Sequence, residues 1–291
     1  MEQNNLPLIS VAIACAVNIA GDLLLVGGLQ MGAAGAAVAT AAAQGISVIL
    51  CLLLLKRRKS LPFVMKKVDL RPSRRLVSEI LRLGIPVAAQ DLLVHFSFLV
   101  LTAIVNAMGV IASAGVGVAE RLCGFIMLAP SAFMQSMSAF VAQNEGAGKP
   151  ERSRRALVCG IAVSLGVGAV LGTAAFFFGD AMASIFAKDP EIIAAAADYL
   201  KAYAIDTFLT SFLFCFIGYF NGCGRTLFVM VQGILGAFAV RIPVAFFVSR
   251  MAGVSLFLLG LATPASSFVQ ILLCMAAFVR YRKRDAAGSI G

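Results

Sequence analysis

The chain has 291 residues, 60% of them hydrophobic and 13% charged, with a mean hydropathy of +0.95. That balance excludes an ordinary soluble globule and a disordered chain, and roughly 175 apolar residues supply about eight membrane spans of about 20 residues each. The net charge of +10 and pI of 9.6 do not point to nucleic acid, because the basic residues lie in short runs between apolar stretches, as in loops facing anionic lipid.

Apolar runs between turn and charge signals give eight candidate spans, near residues 7–27, 33–55, 84–108, 113–142, 157–179, 191–220, 227–249 and 253–279. Each is continuously apolar instead of alternating over about ten residues, so helices are expected and barrel strands are not. The fold class is an all-α polytopic membrane protein. Met1 to Leu6 lack the basic stretch of a secretory signal, so the first run reads as a span. The seven cysteines stand singly in apolar runs and read as small hydrophobes, and a single histidine, His95, excludes a multi-histidine metal site.

Lysine and arginine alternate between connections. Residues 56–82 hold ten, 143–155 four, 221–226 one and 280–284 four, whereas the intervening connections hold only Lys188 and Arg250. Nineteen against two places the basic connections and both termini in the cytoplasm. The segment 56–82 is also the longest connection and contains Pro62 and Pro72, which marks it as a cytoplasmic connector between two bundles.

An internal repeat is faintly visible. At an offset of 223, Val17-Asn18-Ile19 falls on Val240-Arg241-Ile242 and Ala39-Thr40 on Ala262-Thr263. Spans one and two then correspond to spans seven and eight, so the repeating unit has six helices. The expected organisation is 1–55 as the last two helices of a preceding lobe, 56–82 as connector, 83–280 as one complete six-helix lobe and 281–291 as a cytoplasmic tail. Four helices would be absent from the front.

Ionisable residues inside spans are costly in hydrocarbon and face a cavity or a partner. Asp198 and Lys201, at i and i+3, suit a surface pair. Glu120 and Arg121 are adjacent and need separate partners. Asp91 and His95 lie one turn apart and share a face, while Arg241 has Asp206, Asp91 and Glu120 as available partners. Asn18 and Asp22 also share a helix face. If the first hairpin turns near Gln30, Asp22, Thr40 and Asn18 lie roughly 12, 15 and 18 Å below the turn, at similar depth on adjacent helices. Carboxylate, amide and hydroxyl oxygens are the hard ligands that Na+ favours, and a desolvated aspartate is suited to carrying a proton. Hydrogen bonding for packing alone is the other reading of Asp22.

Six strings in fixed order carry a family resemblance across residues 7–282. They are Pro7 with Asn18-Ile-Ala-Gly-Asp22, the small-residue run Gly32 to Thr40, Leu81-Arg-Leu-Gly-Ile-Pro86, Gln143 to Arg152, Ile185-Phe186 with Asp189-Pro-Glu191, and Gly222-Cys-Gly-Arg-Thr226. Together they resemble the multidrug and toxic compound extrusion (MATE) family. The resemblance implies a plasma-membrane antiporter of twelve helices in two lobes, exporting organic, drug-like compounds in exchange for Na+ or H+. This chain would begin at the fifth helix. It implies a coupling cation and a small organic substrate as partners, no other cofactor, and no enzymatic activity. It also places Asn18, Asp22 and Thr40 in the N-lobe cation site, completed by an aspartate from the family's first helix. The family's C-lobe carboxylates, near Val94 and a turn after Asp206, are not matched here, which leaves Asp91, His95, Asp206 and Arg241 as candidates for a C-lobe cavity.

Two other classes compete with drug transport. A flippase for lipid-linked oligosaccharide would need many cavity cations for pyrophosphate, and only Arg121 and Arg241 lie mid-span. An intramembrane enzyme would need a metal or nucleophile motif, and no DDxxD, HExxH or GxSxG string occurs. An inactive transporter fragment is the third alternative.

Overall fold

The computed structural model describes residues 5–57, 73–251 and 253–288. Eight helices among these residues are long and apolar enough to cross a membrane, from Ser10–Gly28 to Leu256–Lys283. The chain forms two compact units, Met1–Pro72 and Ser73–Gly291.

The first unit is a helical hairpin. Helix α1 (Asn5–Asp22) runs into a π-helical segment, Leu23–Gly28, and α2 (Gly32–Arg57) returns beside it. The turn is made by Gln30 at φ 52° and Gly32 at φ 55°, so Gly32 serves the turn and not helix packing. Close approach of the two helices depends on Gly21, where an added Cβ would sit 3.0 Å from the Ala39 Cβ. Small residues at a crossing are the usual packing device where lipid removes the hydrophobic drive.

The second unit is a bundle arranged around one central helix. In chain order it contains α3 (Arg74–Asn106), α4 (Val110–Ile126), α5 (Leu128–Gly146), α6 (Pro150–Phe177), the short α7 (Gly179–Ala183) and α8 (Pro190–Gly222). Then follow α9 (Thr226–Ile234), a π segment (Leu235–Arg241), α10 (Ile242–Ser249), the short α11 (Leu256–Gly260) and α12 (Ala262–Gly288). Helix α8 starts at an Asp189 cap, which accepts the Glu191 N–H at 2.9 Å, with Pro190 in the first turn. It is apolar all round because it is packed all round, with 61% of its span buried. One core cluster joins it to α3, α4, α10 and α11 through Leu101, Val116, Leu200 and Leu259, and another to α5, α6, α9 and α12 through Val141, Leu157, Phe220 and Cys274.

Two expected elements differ. The third span begins at Arg74 rather than near residue 84, because a basic first turn with an Arg75–Glu79 ion pair (3.4 Å) prolongs the helix. At 33 residues, α3 is about 50 Å long, so it overhangs a hydrocarbon core of about 30 Å. Of the expected connector, 58–72 lie outside the described residues, while 56–57 close α2 and 74–82 open α3. The fourth span, expected as one helix over 113–142, breaks at Met127. Pro130 has no N–H to bond the Ile126 carbonyl, and the chain restarts as α5 one residue after α4 ends.

Candidate functional site

In the hairpin, the near approach at Gly21 and Ala39 brings two polar side chains together across the helix pair. Asn18 Nδ2 donates to Thr40 Oγ1 at 3.3 Å, and the Thr40 hydroxyl donates to the Ala36 carbonyl at 2.9 Å. Asp22 is half-buried one turn beyond Asn18, at the start of the π segment. Its Oδ1 is shut off from solvent and has no hydrogen-bond partner. Asn18 and Thr40 thus meet across the helix pair, with Asp22 one turn along α1 from Asn18. The Asn18–Thr40 pair is bonded, whereas Asp22 keeps one carboxylate oxygen unused. A π-helical turn next to such a group shifts the side-chain register and recurs at functional positions.

The second unit holds several polar residues inside its spans, in three separate groups. Asp206, on α8, is 1% exposed and accepts a 2.5 Å hydrogen bond from the Ser267 hydroxyl on α12. Arg241, at the end of the π segment, is 6% exposed; its Nη1 donates to Ser97 Oγ on α3 at 3.0 Å, and its guanidinium carbon lies 4.3 Å from the Phe98 ring centroid. None of Asp206, Asp91 and Glu120 is within ion-pair distance of it, contrary to the pairing expected from sequence. The reason is geometric: Ser97 and Phe98 fill the guanidinium's near shell and the carboxylates do not reach it.

Asp91 and His95 are both exposed and make no bond to each other, so the shared face does not produce a pair. His95 instead lines a cavity of about 400 Å³ together with Phe98, Thr102, Glu120, Tyr199 and Tyr203. Asp91 is not among its lining residues. The Thr102 hydroxyl donates to the Phe98 carbonyl of its own helix at 2.9 Å and lies 3.5 Å from Glu120 Oε1. Asp198 also departs from expectation. Its Oδ2 accepts the Phe257 N–H at 2.9 Å, capping α11 from 59 residues away, and no ion pair joins it to Lys201. Ser97, Thr102 and Ser267 were missed by sequence reasoning, because a lone hydroxyl in an apolar span looks the same whether it bonds its own helix or a charged neighbour.

The MatE family model matches residues 86–247. The chain belongs to the MatE family. Among curated relatives, this MatE protein is 26% identical over 276 residues to "Probable multidrug resistance protein YpnP" of Bacillus subtilis, covering 95% of this chain and 60% of that one. It is 26% identical over 253 residues to "Multidrug export protein MepA" of Staphylococcus aureus, covering 85% and 54%. The chain therefore spans less than two thirds of the length of these relatives. A solved structure described as "Crystal structure of MATE in the straight conformation" superposes with a TM-score of 0.85 at 17% identity, over 97% of this chain and 63% of that one. At that identity the likeness shows the fold, and the fold is the all-α multi-pass membrane bundle described above. The family match takes in α3 to α10, which hold His95, Asp206 and Arg241; the hairpin bearing Asn18, Asp22 and Thr40 lies outside it.

Proposed function

We propose that this MatE chain acts in a cation-coupled antiporter that exports organic, drug-like compounds across the plasma membrane in exchange for Na+ or H+. Asn18, Asp22 and Thr40 contribute one half of the coupling-cation site. The observation that carries the reading is the Asn18–Thr40 contact of 3.3 Å one turn from an Asp22 oxygen that is buried and without a partner. An unsatisfied carboxylate oxygen in the hydrocarbon region is strongly disfavoured, and either a small hard cation or a proton relieves it. The relatives' names, multidrug resistance and multidrug export, support the class of cargo. The cavity lined by Glu120, His95, Phe98, Tyr199 and Tyr203 suits cargo that is flat, apolar and positively charged, since it offers one carboxylate among aromatic faces.

The basic connections and both termini face the cytoplasm in this reading, on the distribution of lysine and arginine. The six spans from Arg74 onward make one lobe, the α1–α2 hairpin contributes to another, and the connector runs between them. The test of the cation site is Asp22→Asn in the complete gene product, reconstituted in vesicles with a fluorescent organic cation as cargo. Loss of cation-driven export with normal yield is expected. Unchanged export with unchanged Na+ and pH dependence refutes the site. Orientation is tested separately with cysteines introduced at Ser60 and Ser73. An impermeant reagent added outside intact cells should label neither, and labelling of both overturns the orientation.

A further inference from the structure

The central helix α8 presents two opposite faces. Tyr199 and Tyr203, at i and i+4, line the cavity that also holds His95 and Glu120. Lys201, Ile205 and Phe208, at i, i+4 and i+7, form an exposed stripe about half a turn away. Beside that stripe a separate groove of about 450 Å³ runs between α8 and α6. Ile205 and Phe208 line one side of it, and Ala169, Thr173, Phe176 and Phe177 the other. The floor is the place where the two helices touch: a Cβ added at Gly172 would be 2.9 Å from the Ala204 carbonyl oxygen, and both residues line the groove. The Thr173 hydroxyl is the one polar side-chain group among the lining residues, and none of them is charged.

The charge lies at one end. A Cβ added at Gly179, two residues past the end of α6, would be 3.5 Å from the Ala197 Cα, so Lys201 lies one turn inside the level at which α6 ends. From that depth a lysine lays its stem along apolar surface and extends its ammonium to the membrane interface. Among the described residues Lys201 makes no ion pair, and Asp198, the carboxylate one turn before it, is engaged by the Phe257 N–H. An apolar groove along two helices with a single cation at its interfacial end matches the outline of a phospholipid, whose acyl chain lies in the groove and whose phosphate meets the cation. No lining carboxylate is present to meet the ammonium of a zwitterionic headgroup, so a lipid of net negative charge is favoured.

We propose that the α6–α8 groove binds one anionic phospholipid, with an acyl chain between Phe176 and Phe208 and the phosphate against Lys201. The lipid belongs to the leaflet in which α8 begins, and it covers the back of the helix whose Tyr199 and Tyr203 face the cavity. The site stands on the second unit alone and does not depend on the cation site at Asp22.

Native mass spectrometry of the detergent-purified complete gene product tests this, with phosphatidylglycerol and phosphatidylcholine of the same chain length supplied at equal concentration. The parent should retain phosphatidylglycerol in preference to phosphatidylcholine. Lys201→Gln should retain one phosphatidylglycerol fewer. Ala169→Phe, which fills the groove from an exposed position, should lose the same lipid, and the double variant should lose no more than either single one. Lipids held at the basic connections are untouched by these changes, so a non-additive loss ties both positions to one bound lipid. Unchanged retention in either single variant, or a double variant that loses two lipids, overturns the proposal. So does a dimer of the parent that Ala169→Phe dissociates, which would make a second copy the occupant. If Ala169→Phe is not recovered, Ala169→Leu takes its place with the same expectations. The readout is lipid retention and not export, so failure of the cation site leaves it unaffected.

Discussion

The hairpin of α1 and α2 leaves a carboxylate oxygen of Asp22 buried and unused, whereas Arg241, between α9 and α10, is met by a hydroxyl and an aromatic ring from α3. The two spans of the hairpin are 0% and 11% buried within the chain, against 33% and 56% for the last two spans, Thr226–Ser249 and Leu256–Lys283. Charge in a membrane is tolerated where something answers it. In the second unit the answer to Arg241 is built from Ser97 and Phe98. In the first, on the proposed reading, it comes from a bound cation or a proton. On the proposed reading, the hairpin takes an exchangeable ion beside Asp22, whereas the second unit holds Arg241 against Ser97 and Phe98.

The comparison can be broken most forcefully at the helix crossings. Gly21→Val places methyl groups into a gap where even a Cβ is 3.0 Å from Ala39, and should cost about 1–3 kcal/mol while separating Asn18 from Thr40. The expected outcome is loss of cation-driven export. In the second hairpin, Gly236→Ala would put a Cβ 2.6 Å from Cγ of the buried Gln270 and closer still to its amide, which bonds Ser266, so the thermal midpoint should fall there too. The pair is checked by vesicle transport together with thermal unfolding.

Single-ligand changes sharpen the same contrast. Asn18→Ala should raise the half-saturating cation concentration about fivefold, as expected for one lost ligand worth about 1 kcal/mol. Ser97→Ala should leave that concentration unchanged but lower the thermal midpoint, because Arg241 loses its hydroxyl partner. A smaller effect is expected from Asp198→Asn, which weakens the cap on α11; a loss of about 0.5–1 kcal/mol in unfolding experiments would match a helix-capping role. Glu79→Ala should be indistinguishable from the parent in both assays, since the Arg75–Glu79 pair is solvent-exposed.

The eight spans were legible because lipid imposes a length and an apolarity that a sequence displays directly, and Gly148, Pro150 and Pro190 mark helix boundaries by their backbone demands. Pro130 carried the signal for the break at Met127, but that break was hidden inside an unbroken apolar run. The proximity of Asn18 and Thr40 was legible too, since a hairpin with a short turn fixes depth by counting residues. What surrounds Arg241 was not. Its partners come from α3, 144 residues away, and in a span that is apolar on every face nothing in the spacing marks Ser97 as the hydroxyl that meets it. Asp198 misled for the same reason. Lys201 is its neighbour in sequence, but the N-terminus of α11 is its neighbour in space.

The most direct test of the central claim is the cation dependence of export in vesicles, compared between Asp22→Asn and Arg241→Lys in the complete gene product. The account predicts that Asp22→Asn abolishes the response to an imposed Na+ or proton gradient, while Arg241→Lys, which keeps the fixed charge, retains it. A full gradient response in Asp22→Asn would contradict it.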